Sequence, residues 1–426
     1  MVANTPIAIT GFGAVSPLGS TAQSSSQSFL AGGSGIQSLG CTEFTDLSVQ
    51  IGGPCECPIE RVLPPHRARR LDRCSQLGLI AAAEAWTEEH AKGFSPERIG
   101  VVFSTGIGGV SSLIEQLHML EQRGPAKVSP HTVALIMPNA PAAQISLLIG
   151  ACGWLESPVS ACSGGSEAIA RAVSLLREGS VDVVVTGGAE AILNRFGIAA
   201  FAAMQALSIN NGNPAEASRP FDAARSGFVM GEGAGALVLE RLPDALARQA
   251  TIHGVILGVG TSADAHDIVS PRADGAQALR AMELSLRDAG VPAEDLDLIK
   301  AHATGTVAGD AAEAMALAAL LQEVPAGDRP WALAPKAVLG HLISASGPVE
   351  LVLTLHALNR AQLPAQANCP NPDPLLPCKL PLQPQPLPPP RGGSAHTALL
   401  NSFGFGGRNV SLVVQAAPGA GGAAQG

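Results

Sequence analysis

The sequence predicts an α/β fold, on three observations. Apolar runs of strand length recur along the whole chain, most are unbroken rather than alternating, and segments of helical spacing lie between them. Unbroken runs suit strands covered on both faces, and strands that alternate with helices build a sheet flanked by helices. The chain has 426 residues, 46% of them hydrophobic and 14% charged, which is enough for two to three domain-sized units with a large core. Aromatics are only 3% and tyrosine is absent, so that core is built from small and aliphatic side chains.

Taken in order, I-A-I-T-G-F-G-A-V-S-P-L-G opens the chain as a buried strand and a glycine turn. It lacks the third glycine of a dinucleotide fingerprint and the acidic residue that should follow, so no nicotinamide site is expected. Further strands are predicted at 99–106, 181–188, 234–240, 251–260, 297–302 and 409–414. Helices are predicted at Leu79 to Trp86, Ala276 to Ala289, Asp310 to Leu321 and Pro348 to Asn359. No short repeat is present, yet two halves made of strand–turn–helix units can be drawn, 1–253 and 254–415. The proline-rich segment 380–393 cannot be helix or central strand and reads as a surface loop; the tail 416–426 reads as disordered.

A formal charge of −9 argues against a nucleic-acid partner or an anionic membrane surface. The N-terminus lacks the basic start and apolar stretch of a signal peptide, and no run of about 18 apolar residues occurs, so a cytoplasmic, soluble protein is expected. The eight cysteines suggest no disulfide framework. Cys55 and Cys57 form a C-x-C pair without a second pair or a histidine cluster, so no metal site is expected there. Cys41, Cys74, Cys152, Cys369 and Cys378 read as ordinary thiols.

Cys162 is different. It stands in V-S-A-C-S-G-G, after an apolar run and before S-E-A-I-A-R-A-V-S-L-L-R-E-G. Ile169, Ala172, Val173 and Leu176 form one apolar helix stripe, Glu167 and Arg171 are spaced to pair at i, i+4, and Gly179 sits where a C-terminal cap belongs. Cys162 therefore lies at a helix N-terminus, where free N–H groups and the dipole favour a thiolate, with Ser163, Gly164 and Gly165 leaving room for a substrate. This stretch alone leaves a reactive thiol and a packed one both open.

Two histidines bear on the choice. His302 lies in A-H-A-T-G-T-V-A-G-D and His341 in P-K-A-V-L-G-H-L-I-S-A-S-G, five residues after Lys336. A lone histidine is most often structural; two at strand-to-glycine junctions in one half point to chemistry. The chain closes on N-S-F-G-F-G-G-R-N (401–409), glycine-rich yet carrying Phe403 and Phe405, as a mobile aromatic gate would.

These stretches, with S-R-P-F-D-A-A-R-S-G-F-V-M-G-E-G-A-G between them, resemble those of the β-ketoacyl-acyl carrier protein synthases, in the elongating branch with a Cys-His-His triad and close to its actinobacterial members. The resemblance runs over almost the whole chain. It implies a thiolase fold, two similar α/β halves stacked in five layers (αβαβα), usually in a homodimer; a heterodimer with a ketosynthase-like subunit is the alternative. It implies an acyltransferase without cofactor or metal, its substrates carried on the phosphopantetheine of acyl carrier protein. Cys162 would take the acyl group, with the N–H groups of Cys162 and Phe405 as oxyanion hole. His302 and His341 would promote decarboxylation of the malonyl unit. Lys336 would order the site with Glu350 as its ion-pair partner, and Asp310 and Glu313 match supporting acidic positions. Thr304 and Thr306 match pantetheine contacts, Phe403 a further substrate contact, Phe405 the gate, and Ile107 the acyl-pocket entrance.

His66, Arg67, Arg69 and Arg70, in the densest basic cluster of the chain, are the expected docking positions for the acidic carrier protein; a solvated helix face is the plainer reading. The departures from the family pattern are Ala303 for a usual glycine, Arg408, Ser226 for an acidic residue, and Asn210 where an arginine often stands. They leave fatty acid elongation and a type II polyketide or polyene pathway both open. A chain-length subunit without a nucleophile is disfavoured by Cys162. A biosynthetic thiolase is disfavoured by Phe403 and Phe405, which stand where a second catalytic cysteine would be expected.

Overall fold

The computed structural model describes residues 4–40 and 42–418. Ten strands form its main sheet: β1 (Ile7–Val15), β2 (Ile99–Ser104), β3 (Leu155–Glu156), β4 (Val183–Glu190), β5 (Gly233–Arg241), β6 (Gly254–Ala263), β7 (Leu298–Lys300), β8 (Trp331–Leu333), β9 (Thr397–Gly404) and β10 (Arg408–Ala416). Their order across the sheet is β8-β7-β9-β10-β6-β1-β5-β4-β2-β3.

That order contains the same figure twice. In the N-terminal half the first strand pairs antiparallel with the fifth, the fifth antiparallel with the fourth, and the fourth, second and third run parallel. In the C-terminal half β6, β10, β9, β7 and β8 repeat those relations. The halves join where β1 pairs with β6 over three positions, Ile7 with Ile256 to Ile9 with Gly254.

The helices complete five layers. α1 (Arg73–Ala85) and α2 (Ala140–Ile149) cover the outer face of the N-terminal strands, and α5 (Ala276–Ala289) and α6 (Val307–Leu320) lie outside the C-terminal ones. Between the two sets of strands lie α3 (Gly164–Arg177) and α8 (Ser346–Asn359), which share one apolar cluster with strands of both halves. A strand between helical layers meets no water on either face, which is why β4 is mostly apolar and glycine, every residue buried, with only Thr186 and the terminal Glu190 polar.

The predicted strands and helices are all present, with some ends moved by several residues. The helices Ala22–Leu30 and Val110–Arg123, α2, and α4 (Arg195–Ala203) were not predicted, nor was β9, whose last residues had been read only as a gate. The predicted Glu167–Arg171 pair is replaced. Arg171 pairs with Glu156 at 3.0 Å, and Glu167 takes Arg408 at 2.8 Å. The proline-rich segment supplies only a two-residue strand, Gln385–Pro386, paired with Gln362–Leu363 away from the main sheet. Ala416 closes β10, Ala417 donates to Asn359, and residues 419–426 of the tail, like Cys41, lie outside the described residues. Cys55 and Cys57 are free thiols, and among the described residues no group of three or more His, Cys, Asp or Glu is placed to hold a metal ion.

Candidate active site

Cys162 sits on a single 3₁₀ turn, Ala161–Ser163, that runs directly into α3. Ala161 takes the left-handed φ of 48° that turns the chain off its approach. Gly164 and Gly165 are needed here for packing. A Cβ on Gly164 would stand 2.3 Å from Ser104 Oγ, and one on Gly165 would stand 2.3 Å from the backbone oxygen of Ser344. The expectation that these glycines make room for substrate is therefore corrected: the space is filled by the turn Ile343–Ala345 of the other half.

That turn follows His341. The short helix α7 (Lys336–Leu339) ends at Gly340, whose φ of 72° and 2.8 Å gap between an added Cβ and Val229 O exclude any larger residue without a shift. His341 N–H then donates to Val229 O at 2.7 Å. Its Nδ1 lies 2.9 Å from Ser346 Oγ, which also accepts from Leu342 N–H at 3.0 Å. With its proton given to Nδ1, that hydroxyl fixes the tautomer whose Nε2 carries hydrogen, and Nε2 has no protein partner. His302 follows β7. Glu313 on α6 accepts the N–H of His302 at 2.8 Å and that of Ala303 at 2.7 Å, holding Ala303 in the left-handed conformation, φ 38°, where the family glycine would be unstrained.

Cys162, His302, His341, Thr304, Thr306, Glu313, Phe403 and Phe405 line one cavity of about 370 Å³. The two imidazoles meet edge to face with centroids 5.6 Å apart, and Phe228 and Phe403 flank them. Phe405 stacks on Phe201 at 6.5 Å. Thr306 caps α6 through Gly309 N–H, and its hydroxyl lies 2.9 Å from that of Thr304. Behind the cavity Glu350 stands 2.7 Å from Lys336 Nζ, and Asp310 accepts from the N–H groups of Phe221 and Gly305. Ile107, 40% exposed, lies outside the cavity lining, as do His66, Arg67, Arg69 and Arg70. Those four are exposed on and just after the short helix Pro65–Ala68, whereas Arg73 of the same basic stretch is engaged by Glu232 at 2.9 Å.

Burial sets the protonation of the site. It pushes the Cys162 thiol up to about 11, against the backbone N–H of Phe405 and the charge of Lys336, which favour the anion. Burial thus opposes the thiolate that the helix end favours, and a thiol raised to about 11 is mostly protonated near pH 7. Burial, then Lys336, carries both imidazoles well below the ordinary histidine range, so both are neutral N–H donors. A buried carboxyl that the sequence reading passed over, Glu190, is raised by burial to about 7, although Gly106 N–H and the Thr105 hydroxyl bond to it.

Lys300 was also passed over. Its one signal is a lysine inside the apolar strand D-L-I-K, two residues before His302. Nζ reaches the second oxygen of Glu350 at 2.7 Å and Asn401 O at 2.5 Å, with the side chain fully buried.

A doubled α/β fold that brings a helix-end thiol and two neutral imidazoles into one cavity defines an acyl-transferring enzyme of the thiolase-fold class. Residues 4–245 match the family described as "Beta-ketoacyl synthase, N-terminal domain" and residues 253–370 its C-terminal domain. A 3-oxoacyl-[acyl-carrier-protein] synthase 2 of Synechocystis is 36% identical over 95% of this chain and 97% of its own. A type II polyketide acyl-carrier protein in complex with its ketosynthase superposes with TM-score 0.86 at 25% identity, over 97% of this chain and 99% of that one. A ketosynthase in complex with its chain length factor from Xenorhabdus doucetiae gives 0.80 at 26%, over 97% and 98%. The chain belongs to the β-ketoacyl synthase family.

Proposed function

We propose that this chain catalyses the decarboxylative Claisen condensation of an acyl thioester with malonyl-acyl carrier protein, lengthening a fatty acyl chain by two carbons. The observation that carries the reading is the single cavity shared by Cys162, His302 and His341. Cys162 sulfur attacks the thioester carbonyl of the acyl carrier, and the N–H groups of Cys162 and Phe405 receive the developing oxyanion. The carrier leaves as its thiol, taking the cysteine proton, and the acyl group stays on sulfur. Malonyl carrier then enters past Phe405. Loss of CO₂ puts negative charge on the thioester oxygen, which the two neutral imidazoles stabilise as hydrogen-bond donors. The carbanion attacks the acyl-Cys162 carbonyl, the C–S bond breaks, the sulfur leaves as a thiolate that takes a proton from solvent, and a 3-ketoacyl carrier departs. These steps need no cofactor. Thr304 and Thr306 hold the pantetheine arm, and Lys336 with Glu350 orders the imidazoles.

Carrier docking belongs to the exposed basic group His66, Arg67, Arg69 and Arg70, a local positive patch on a chain of charge −9. Dimerisation belongs to the open sheet edge at β3, where Leu147, Trp154, Leu155 and Val159 are exposed. A second reading, a type II polyketide ketosynthase paired with a related subunit, is favoured by the structural likeness to such enzymes.

The test is intact-protein mass spectrometry after incubation with acyl-carrier proteins of graded chain length, then with malonyl carrier. Acylation at Cys162 followed by a product two carbons longer supports the reading; elongation by Cys162→Ala removes it. The chain length accepted separates the two pathways. Arg69→Glu with Arg70→Glu should weaken carrier substrates and spare small thioester surrogates, and equal loss with both refutes docking there.

A further inference from the structure

Glu350 is enclosed by two lysines. Lys300 Nζ donates to one carboxylate oxygen, and Lys336 Nζ stands 2.7 Å from the other, off the hydrogen-bonding direction; all three side chains are at most 1% exposed. One carboxylate between two buried ammonium groups is in excess of what a buried ion pair needs, since a single partner already neutralises it. The extra cation has a connected purpose. Lys300 Nζ also donates to Asn401 O, Asn401 Nδ2 donates to Glu313, and Glu313 holds the N–H groups of His302 and Ala303. Lys300 thus closes a chain of contacts running from the Lys336–Glu350 pair to the backbone that carries His302. Of the charged and titratable groups around the two rings, Cys162, Glu313, Asp264 and Arg272 share their cavity and Lys336 and Lys300 act on them from behind it, with the rings facing each other.

We propose that Lys300 is a positioning residue for the condensation, the second cation that keeps His302 and His341 uncharged and donor-ready while anchoring the His302 backbone through Asn401 and Glu313. The inference rests on the function proposed above. Ionised Lys300, Lys336, Glu350 and Glu313 together carry no net charge, so loss of Lys300 alone leaves the site one unit more negative and draws a proton toward the imidazoles. Burial lowers the Lys300 ammonium itself, with Glu350 opposing, which keeps the carboxylate contact essential to its charge.

The test compares wild type with Lys300→Met and with Lys300→Gln, which retains amide donors without the charge. Two readouts are followed from pH 5 to 8: CO₂ release from malonyl carrier protein, and the midpoints of the imidazoles by NMR. In wild type, CO₂ release is expected to hold as pH falls through 6.5, the ordinary imidazole value. In either variant its acid limb should move up by about one pH unit, roughly a tenfold loss at the foot of the limb, and the imidazole midpoints should move with it. A purely structural lysine lowers the melting temperature and leaves limb and midpoints in place, and that result overturns the proposal. Should neither variant fold, wild-type imidazole midpoints below the ordinary 6.5 support it and midpoints at or above 6.5 end it. Wild type that releases no CO₂ at any pH removes the proposed function instead, while the NMR midpoints still test Lys300.

Discussion

His302 and His341 face each other at 83° with ring centroids 5.6 Å apart, brought together from a strand end and from a glycine-ended helix of the same half. His302 Nδ1 and His341 Nε2 are buried without protein partners. Buried ring nitrogens without partners cost stability, so a site that keeps them is prepared for groups that arrive with the reaction. Replacing either imidazole by alanine should cut malonyl decarboxylation by about 10²- to 10³-fold, the loss typical of one oxyanion donor. Acylation of Cys162 should survive in both variants. Carbon dioxide assays beside intact-protein masses separate the two steps, and equal loss of both would mean the rings serve the thiol.

Because burial raises the Cys162 thiol to about 11, the thiolate fraction in the free enzyme should grow tenfold per pH unit through neutrality. Iodoacetamide labelling of Cys162 should therefore rise with unit slope from pH 7 to about 10. Lys336→Ala removes a charge that favours the anion and should slow labelling at every pH in that range. A labelling midpoint near 7 would show instead that the helix end outweighs burial.

The strands and the nucleophile's helix were legible because burial on both faces and 3.6-residue spacing leave direct marks on residue type. Cys162, both histidines and the Lys336–Glu350 pair were legible from motifs. Lys300 and Glu190 were not, since a single charge inside an apolar run does not say what it faces across the fold. The exchange of Glu167 from Arg171 to Arg408 was hidden for the same reason: i, i+4 spacing is local, and the winning partner lies 241 residues on. Ser346, which sets the His341 tautomer, had no signal beyond being a serine in a glycine-rich turn.

Glu190 gives the fold a pH dependence of definite sign. Its carboxyl is raised from 4.5 to about 7 by burial, so between those values the folded protein holds a proton that the unfolded chain has released. Its contribution is complete below pH 4.5 and is lost as pH rises through about 7, a swing on the order of 3 kcal/mol. Glu190→Gln keeps the shape and cannot ionise. Urea unfolding at pH 5 and pH 7.5 should show a smaller fall for the variant than for wild type. Asp310, also raised to about 7, leaves a residual slope in both. Identical slopes would mean Glu190 is not the titrating group.

Gly164 and Gly165 distinguish packing from substrate access as the reason for the small residues after Cys162. A methyl on Gly164 meets two seryl side-chain oxygens, Ser104 Oγ at 2.3 Å and Ser344 Oγ at 2.4 Å, and each can turn away at the loss of its bond to a backbone oxygen and of the long 3.3 Å bond the two hydroxyls share. A methyl on Gly165 meets the backbone oxygen of Ser344 at 2.3 Å, which cannot turn, so α3 and the turn after His341 must separate. Gly165→Ala should therefore cost more stability than Gly164→Ala, about 3 kcal/mol against about 1–2 kcal/mol. It should also impair acylation and decarboxylation together, because the two halves of the site part. Denaturation midpoints with both activities decide the matter: variants of unchanged stability that show only a raised KM for the acyl substrate would restore substrate access as the explanation.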